Sequence, residues 1–486
     1  MANKIDTKFT LQVKALLNKL YGRSVLKDSL LEQAIEFYEK QPFYQHKLDN
    51  LTQQINELNT QNGDASAKRQ LDKLEREYRD IKQEFKFESN DRYKYLYNIC
   101  KEILSLTEGA TFAETIRKSA QMLGTIQLLC PTVGKRVAEV NERSKPLYKS
   151  VLTLRLLDQL CIDKAMVAND GHVKSVLGAL SGDAFKTMQE LDKDTHEAFI
   201  ENVKIPVVMA SLLQDIGHFH PEAQRIVKGA DGTLDPHRTL PVEERKALLQ
   251  INYRETVKFL IDGIGAPIYV GNSKADRDKF NVAEHKKLIF IKHLLKSAIA
   301  PKLGVGNLIK VPQIYTSIIL STKDSYNYKL LPKVYQALNQ NAERGTCSPL
   351  VVDTLRKITG DFPQGFGVTF IPKDSDGKSG DHYEYAIVNQ LYPKDPKHPL
   401  CRAATRGLTF ISHGQDIEIV GDISLYNTDT AKKFAALSKD RLNEILEKLA
   451  SNYQERKQLD LLPRCWHAGE FFGLPNHQKL WNKTAN

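Results

Sequence analysis

No apolar run in this sequence of 486 residues approaches the roughly 20 that span a bilayer, so no transmembrane helix is expected and no membrane partner. The opening MANKIDTKFT lacks the apolar stretch of a secretory signal. The six cysteines (Cys100, Cys130, Cys161, Cys347, Cys401, Cys465) stand far apart and form no CxxC pair. That argues against a zinc knuckle or a disulfide framework and for reduced thiols in the cytoplasm. No internal repeat is present, which excludes a solenoid. Charge of one sign is also concentrated in few places. The net charge of +10 is scattered, which admits an anionic partner but marks no specific nucleic-acid site.

What is present is mostly helical periodicity. Phe9, Val13, Leu16, Leu17 and Leu20 recur at helical spacing, as do Leu30, Leu31, Ala34 and Phe37, with Pro42 as punctuation. Leu48, Leu51, Ile55 and Leu58 precede a break at Asn62-Gly63-Asp64, and Leu71, Leu74, Tyr78, Ile81 and Phe85 follow it. Two heptad-like arms around a turn predict an antiparallel coiled-coil hairpin, with a homodimer through the arms as the competing arrangement. Residues 1–130 are thus expected to be a helical and coiled-coil region, and Pro131 to Pro146 a hinge, with a helical KRVAEV segment as the alternative within it. Residues 147–358 read as a central helical bundle. Within it, helices are expected over Val242–Leu260 and Glu284–Ala300, with a long loop over Asp262–Phe280 between them. After Thr359 short β-rich runs alternate with Gly, Asp and Pro, predicting a small barrel-like β module over 359–425. A charged helix over Ser438–Glu455 and an aromatic tail complete residues 438–486. The tail holds Trp466, Phe471, Phe472 and Trp481 and is too apolar to stay free, so docking as a non-helical clasp is expected. The fold class is mainly α.

The stretch with chemistry in it is PVVMASLLQDIGHFHPEAQRI, Pro206 to Ile226. An apolar helix ends in Gln214-Asp215, and a turn through Gly217 presents His218 and His220. This resembles the HD-type phosphohydrolases, in which a helix carries a His-Asp doublet into a metal site. SLLQDIG, PVEERKALLQINYRETVKFL, KVPQIYTSIILSTKD and RGTCSPLVVDTLRKITGDFPQGFGVTF together resemble the HD-GYP family of bacterial cyclic-dinucleotide phosphodiesterases. The likeness runs over about residues 145 to 410. It implies an HD-type helical bundle holding several manganese or iron ions, which would polarise phosphoryl oxygens and activate a water.

The implied ligands are mostly replaced. Lys149 stands nearest the early His position and Gln214 replaces the doublet's His. Ile251-Asn252-Tyr253 occupies the place of a His-Pro step, and Tyr315 to Ser317 that of the later aspartates; only Asp215 is clearly kept. The resemblance therefore implies a vestigial site at Gln214, Asp215, His218 and His220, with no catalytic residue, metal or cofactor assigned. The function expected is binding in a bacterial regulatory circuit, with a protein partner on the N-terminal helices. Lys286, Lys287, Lys292 and Lys296 are candidate phosphate contacts, a cyclic dinucleotide being one possible ligand. The rival is an active phosphodiesterase using manganese or iron, in which His218 and His220 supply new ligands beside Asp215.

Overall fold

The computed structural model describes residues 6–22, 28–60, 65–178, 180, 186–301, 304–373, 376–380, 382–435 and 463–482. The expected helix over Ser438–Glu455 and the Asn62–Asp64 break lie outside them. In chain order the helices are α1 Lys8–Tyr21, α2 Leu30–Thr60, α3 Ala65–Thr107, α4 Phe112–Leu129, α5 Val137–Ile162, α6 Gly171–Leu177, α7 Lys193–Phe199 and α8 Ile205–Leu213. They continue with α9 Pro221–Lys228, α10 Val242–Lys258, α11 Lys274–Ser297, α12 Asn307–Ile319, α13 Val334–Glu343, α14 Pro349–Thr359 and α15 Thr428–Ala435. Strands are β1 Gly367–Phe370, β2 Glu384–Val388, β3 Leu400–Ala403, β4 Thr405–Arg406, β5 Thr409–Phe410, β6 Asp416–Glu418 and β7 Cys465–Trp466. Among the described residues no helix is long and apolar enough to cross a membrane. The chain divides into two compact units. One comprises residues 1–17, 102–199 and 297–486, the other 18–101 and 200–296.

In the first unit α5 is the axis. Residues Leu147 to Cys161 are buried without exception, so this stretch of the helix has no solvent face, and the helix packs on α4, α12 and α14. Its small polar residues are satisfied by its own backbone: Ser150 donates to the Leu147 carbonyl at 2.8 Å and Thr153 to that of Lys149 at 2.9 Å. The buried Arg155 guanidinium is neutralised by Glu108 and by Asp158, at 3.2 Å from the latter. Pro146 lies inside this helix, where a hinge was expected. A proline forfeits one intrahelical hydrogen bond, and burial of the surrounding turns outweighs that loss here.

The same unit carries the sheet. Five antiparallel strands lie in the order β6-β3-β2-β1-β7, and β4 and β5 form a separate hairpin. No sheet is closed. The expected barrel is therefore corrected to an open sheet with a small hairpin beside it. Strands of two to five residues are too short to tilt and stagger into a closed ring. One edge is supplied by the aromatic tail: Cys465 pairs with Val368 and Trp466 with Gly367. Trp466 donates to the Ala386 carbonyl at 3.0 Å, and its ring stacks on Tyr385 at 4.7 Å. Gly367 is required there, because a Cβ would lie 2.2 Å from the Trp466 carbonyl oxygen. Further along, Trp481 lies so close to Gly124 of α4 that a Cβ there would sit 2.4 Å from its ring. The tail is thus part of the core, as its composition required, but it is not the non-helical clasp expected: after the strand come short helical turns at Gly469–Phe472 and Pro475–Lys479.

In the second unit α2 and α3 run antiparallel. Tyr44 meets Phe85 edge-on at 4.7 Å, and Lys47 pairs with Glu77 at 3.1 Å. Leu51 and Ile81 are buried between the arms. The helix continues through Pro42, where punctuation was expected. At the base of the hairpin Phe37 packs on Phe259 at 5.4 Å, and Arg92 lies over the Phe37 ring while donating to the Gly263 carbonyl at 3.1 Å. The loop expected over Asp262–Phe280 is shorter, since α11 begins at Lys274.

Two variants test these contacts. Placing carboxylates in the seam, Leu74→Asp with Ile81→Asp, should lower the melting temperature and cost at least about 3 kcal/mol. An unchanged melt would sink the seam. Trp466→Ala should cost about 3–5 kcal/mol through its lost stack and hydrogen bond. A wild-type denaturation midpoint would show that the tail strand carries no stability.

Candidate functional site

The Gln214–Asp215 turn lies in the second unit. It is delivered by α8, every residue of which is buried. Pro206 sits in the first turn of that helix, where its missing N–H costs nothing. The helix ends at Gln214, a 3-10 turn spans Ile216–Phe219, and His220 then caps α9 by accepting from the Glu222 amide at Nδ1, 3.2 Å away. Pro221 at the first helical position fixes that start.

Helix α10 is clamped onto this turn. Gly217 passes so near α10 that a Cβ would fall 2.2 Å from the Asn252 carbonyl oxygen. The Gly217 amide donates to the Thr256 hydroxyl at 3.1 Å, and the Asn252 side chain donates to the Gln214 carbonyl at 3.0 Å. Gln214 is buried, and its Oε1 finds no hydrogen-bond partner among the described residues. Asp215 and His218 are half-buried, and the His218 carbonyl accepts from Gln224 at 2.7 Å.

Among the described residues only one group of three or more His, Cys, Asp or Glu side chains brings its ligand atoms together. It is His220, Glu222 and Glu255, within 4.8 Å of one another. Asp215 and His218 do not belong to it. His220 Nε2 lies 3.7 Å from Glu255, whose side chain is 5 % exposed. Arg254 bridges the two carboxylates, pairing with Glu222 and approaching Glu255 through Nε at 2.5 Å. The Tyr38 ring meets His220 edge-on at 5.2 Å, and its hydroxyl donates to the Glu255 carbonyl at 3.2 Å. Burial holds the His220 imidazole below its ordinary pKa against the opposing pull of Glu255 and Glu222, and Arg254 and Lys258 deepen the depression. Burial, with Glu255 beside it, raises the Tyr38 phenol well out of the physiological range.

The basic helix divides its lysines. Lys286, Lys292 and Lys296 are exposed, whereas Lys287 points inward. Its ammonium lies 2.6 Å from Glu284 and 3.3 Å from Glu201. Tyr93 donates to Glu284 at 3.1 Å, Tyr97 donates to Glu201 at 2.9 Å, and the two rings stack. The Lys287 charge is therefore satisfied internally.

Lys149 and Tyr315 to Ser317, also singled out by the resemblance, fall in the first unit. Lys149 is buried in α5. Tyr315 is buried against Tyr335 at 5.8 Å, Thr316 is buried and Ser317 is exposed. Glu222, Arg254 and Glu255 were missed from the sequence. The signal available was the place of the absent His-Pro step, which ends at Tyr253, directly before Arg254 and Glu255.

The chain matches no protein-family model, no curated protein and no solved structure.

The Gly217 contact is open to a direct check. Gly217→Ala forces a methyl into the α10 backbone and should cost roughly 1–3 kcal/mol, as overpacking does. A melting temperature equal to wild type would show that α10 moves aside freely.

Proposed function

We propose that this chain is a catalytically degenerate HD-GYP-like protein of a bacterial regulatory circuit, acting by binding. The observation that carries this reading is the state of the turn where the resemblance expects a metal cluster. Asn252 stands in the place of the His-Pro step and spends its amide on the Gln214 carbonyl. Gln214 itself offers only a neutral amide, and Asp215 and His218 join no converging set of ligands among the described residues. A manganese or iron cluster needs several His and carboxylate donors aimed at shared ions, and the residues present do not fit one. Losing ligands leaves the fold intact, since packing rests on apolar positions such as those of α8.

In this reading the hairpin of α2 and α3 is the partner-binding or dimerising element. Phe43 and Phe87 support it, standing 68 % and 54 % exposed on its two arms. Lys286, Lys292 and Lys296 are the exposed charges available to a phosphate of a cyclic dinucleotide. The second reading, an active metal-dependent phosphodiesterase with a rearranged site, is favoured by the His220, Glu222 and Glu255 cluster alone.

The purified chain should not hydrolyse cyclic di-GMP or bis-p-nitrophenyl phosphate with manganese or ferrous iron supplied. Turnover that disappears in both Asp215→Ala and His218→Ala would overturn the degenerate reading.

A further inference from the structure

We propose that His220, Glu222 and Glu255 form a latent site for one borderline divalent cation, Zn²⁺ by ligand type, held shut by the Arg254 guanidinium. One imidazole and two carboxylates are ordinary zinc donors, and a tetrahedral ion at about 2.0–2.2 Å from each spaces them about 3.3–3.6 Å apart. The three ligand atoms already lie within 4.8 Å of one another, and His220 Nε2 stands 3.7 Å from Glu255. The backbone is fixed on both sides: His220 and Glu222 open α9, and α10 carries Glu255. Side-chain rotation alone closes the remaining distance.

A cation already occupies this place. Arg254 pairs with both carboxylates, yet its side chain is 56 % exposed and has open solvent to turn into. Glu255 has no such freedom at 5 % exposure, and a buried carboxylate demands a positive partner. Exchange of the guanidinium for a divalent ion keeps that demand met. It also has a second cost. Coordination through Nε2 puts the imidazole proton on Nδ1, so the capping bond from the Glu222 amide must be given up. These two costs make the site latent in the native chain. The inference goes beyond the binding reading and does not rest on it, because an ion held here entails no turnover.

The test is Zn²⁺ competition between the full-length chain and a chromophoric chelator, with circular dichroism to verify folding. Arg254→Ala should bind one Zn²⁺ per chain at least tenfold more tightly than wild type, and adding His220→Ala should abolish the gain. Arg254→Gln, which keeps the aliphatic stem, is read in the same way should the alanine variant fail to fold. Equal affinity of wild type and the Arg254 variants overturns the proposal, as does a gain that survives His220→Ala.

Discussion

The second unit depends on a contact with no room for a methyl group. Gly217 and the Asn252 carbonyl approach until a Cβ between them would sit at 2.2 Å. That approach brings the Gln214–Asp215 turn against α10 and allows two hydrogen bonds to form: the Gly217 amide with Thr256, and Asn252 with the Gln214 carbonyl. It also sets the depth at which Glu255 enters beside His220. A bulkier residue at 217 would separate the two elements, and both the hydrogen bonds and the His220 cluster would be lost together. The chemistry of the site is therefore downstream of a packing constraint.

Several buried charges are handled the same way. Arg155 is matched by Glu108 and Asp158, Lys287 by Glu284 and Glu201, and Glu255 by Arg254. Glu384 takes its partners from the β4–β5 turn, accepting from Thr405 and from the Gly407 amide, both at 2.5 Å, with His382 at 3.2 Å. Such groups contribute little net stability, because desolvation offsets most of the attraction. Their effect is selective: any rearrangement that separates a pair strands a charge out of water. The scattered surface charge is then what remains for outside partners.

The local features were legible in the sequence. The heptad arms, the apolar helix leading to Gln214 and the tail's need for cover follow from spacing and composition, which need no knowledge of distant partners. The misreadings came from distance or from averaging. Pro42 and Pro146 looked like boundaries because a proline's local preference is strong, yet packing of whole helices overrides it. The sheet looked closed because nothing in its own residues reveals that its edge partner, Cys465–Trp466, comes from about a hundred residues further on. Lys287 looked like its neighbour Lys286, although it falls four residues before Ile291 and seven before Leu294, on the buried face. That offset was available and was outweighed by the charge of the side chain.

The His220 cluster was the least legible element, and for a reason that bears on function. Arg254 and Glu255 are adjacent charges on a helix that also carries exposed Arg245 and Lys246, a pattern that reads as solvated surface. Only the fold distinguishes Glu255, buried against Tyr38 and His220, from those neighbours. A catalytic reading needs ligands that converge without being neutralised. Among the described residues the one converging set is already spanned by a guanidinium, and the turn nearest to it is tied up by Asn252 and Thr256. Polar groups satisfied by their own chain have little affinity left for a metal cluster.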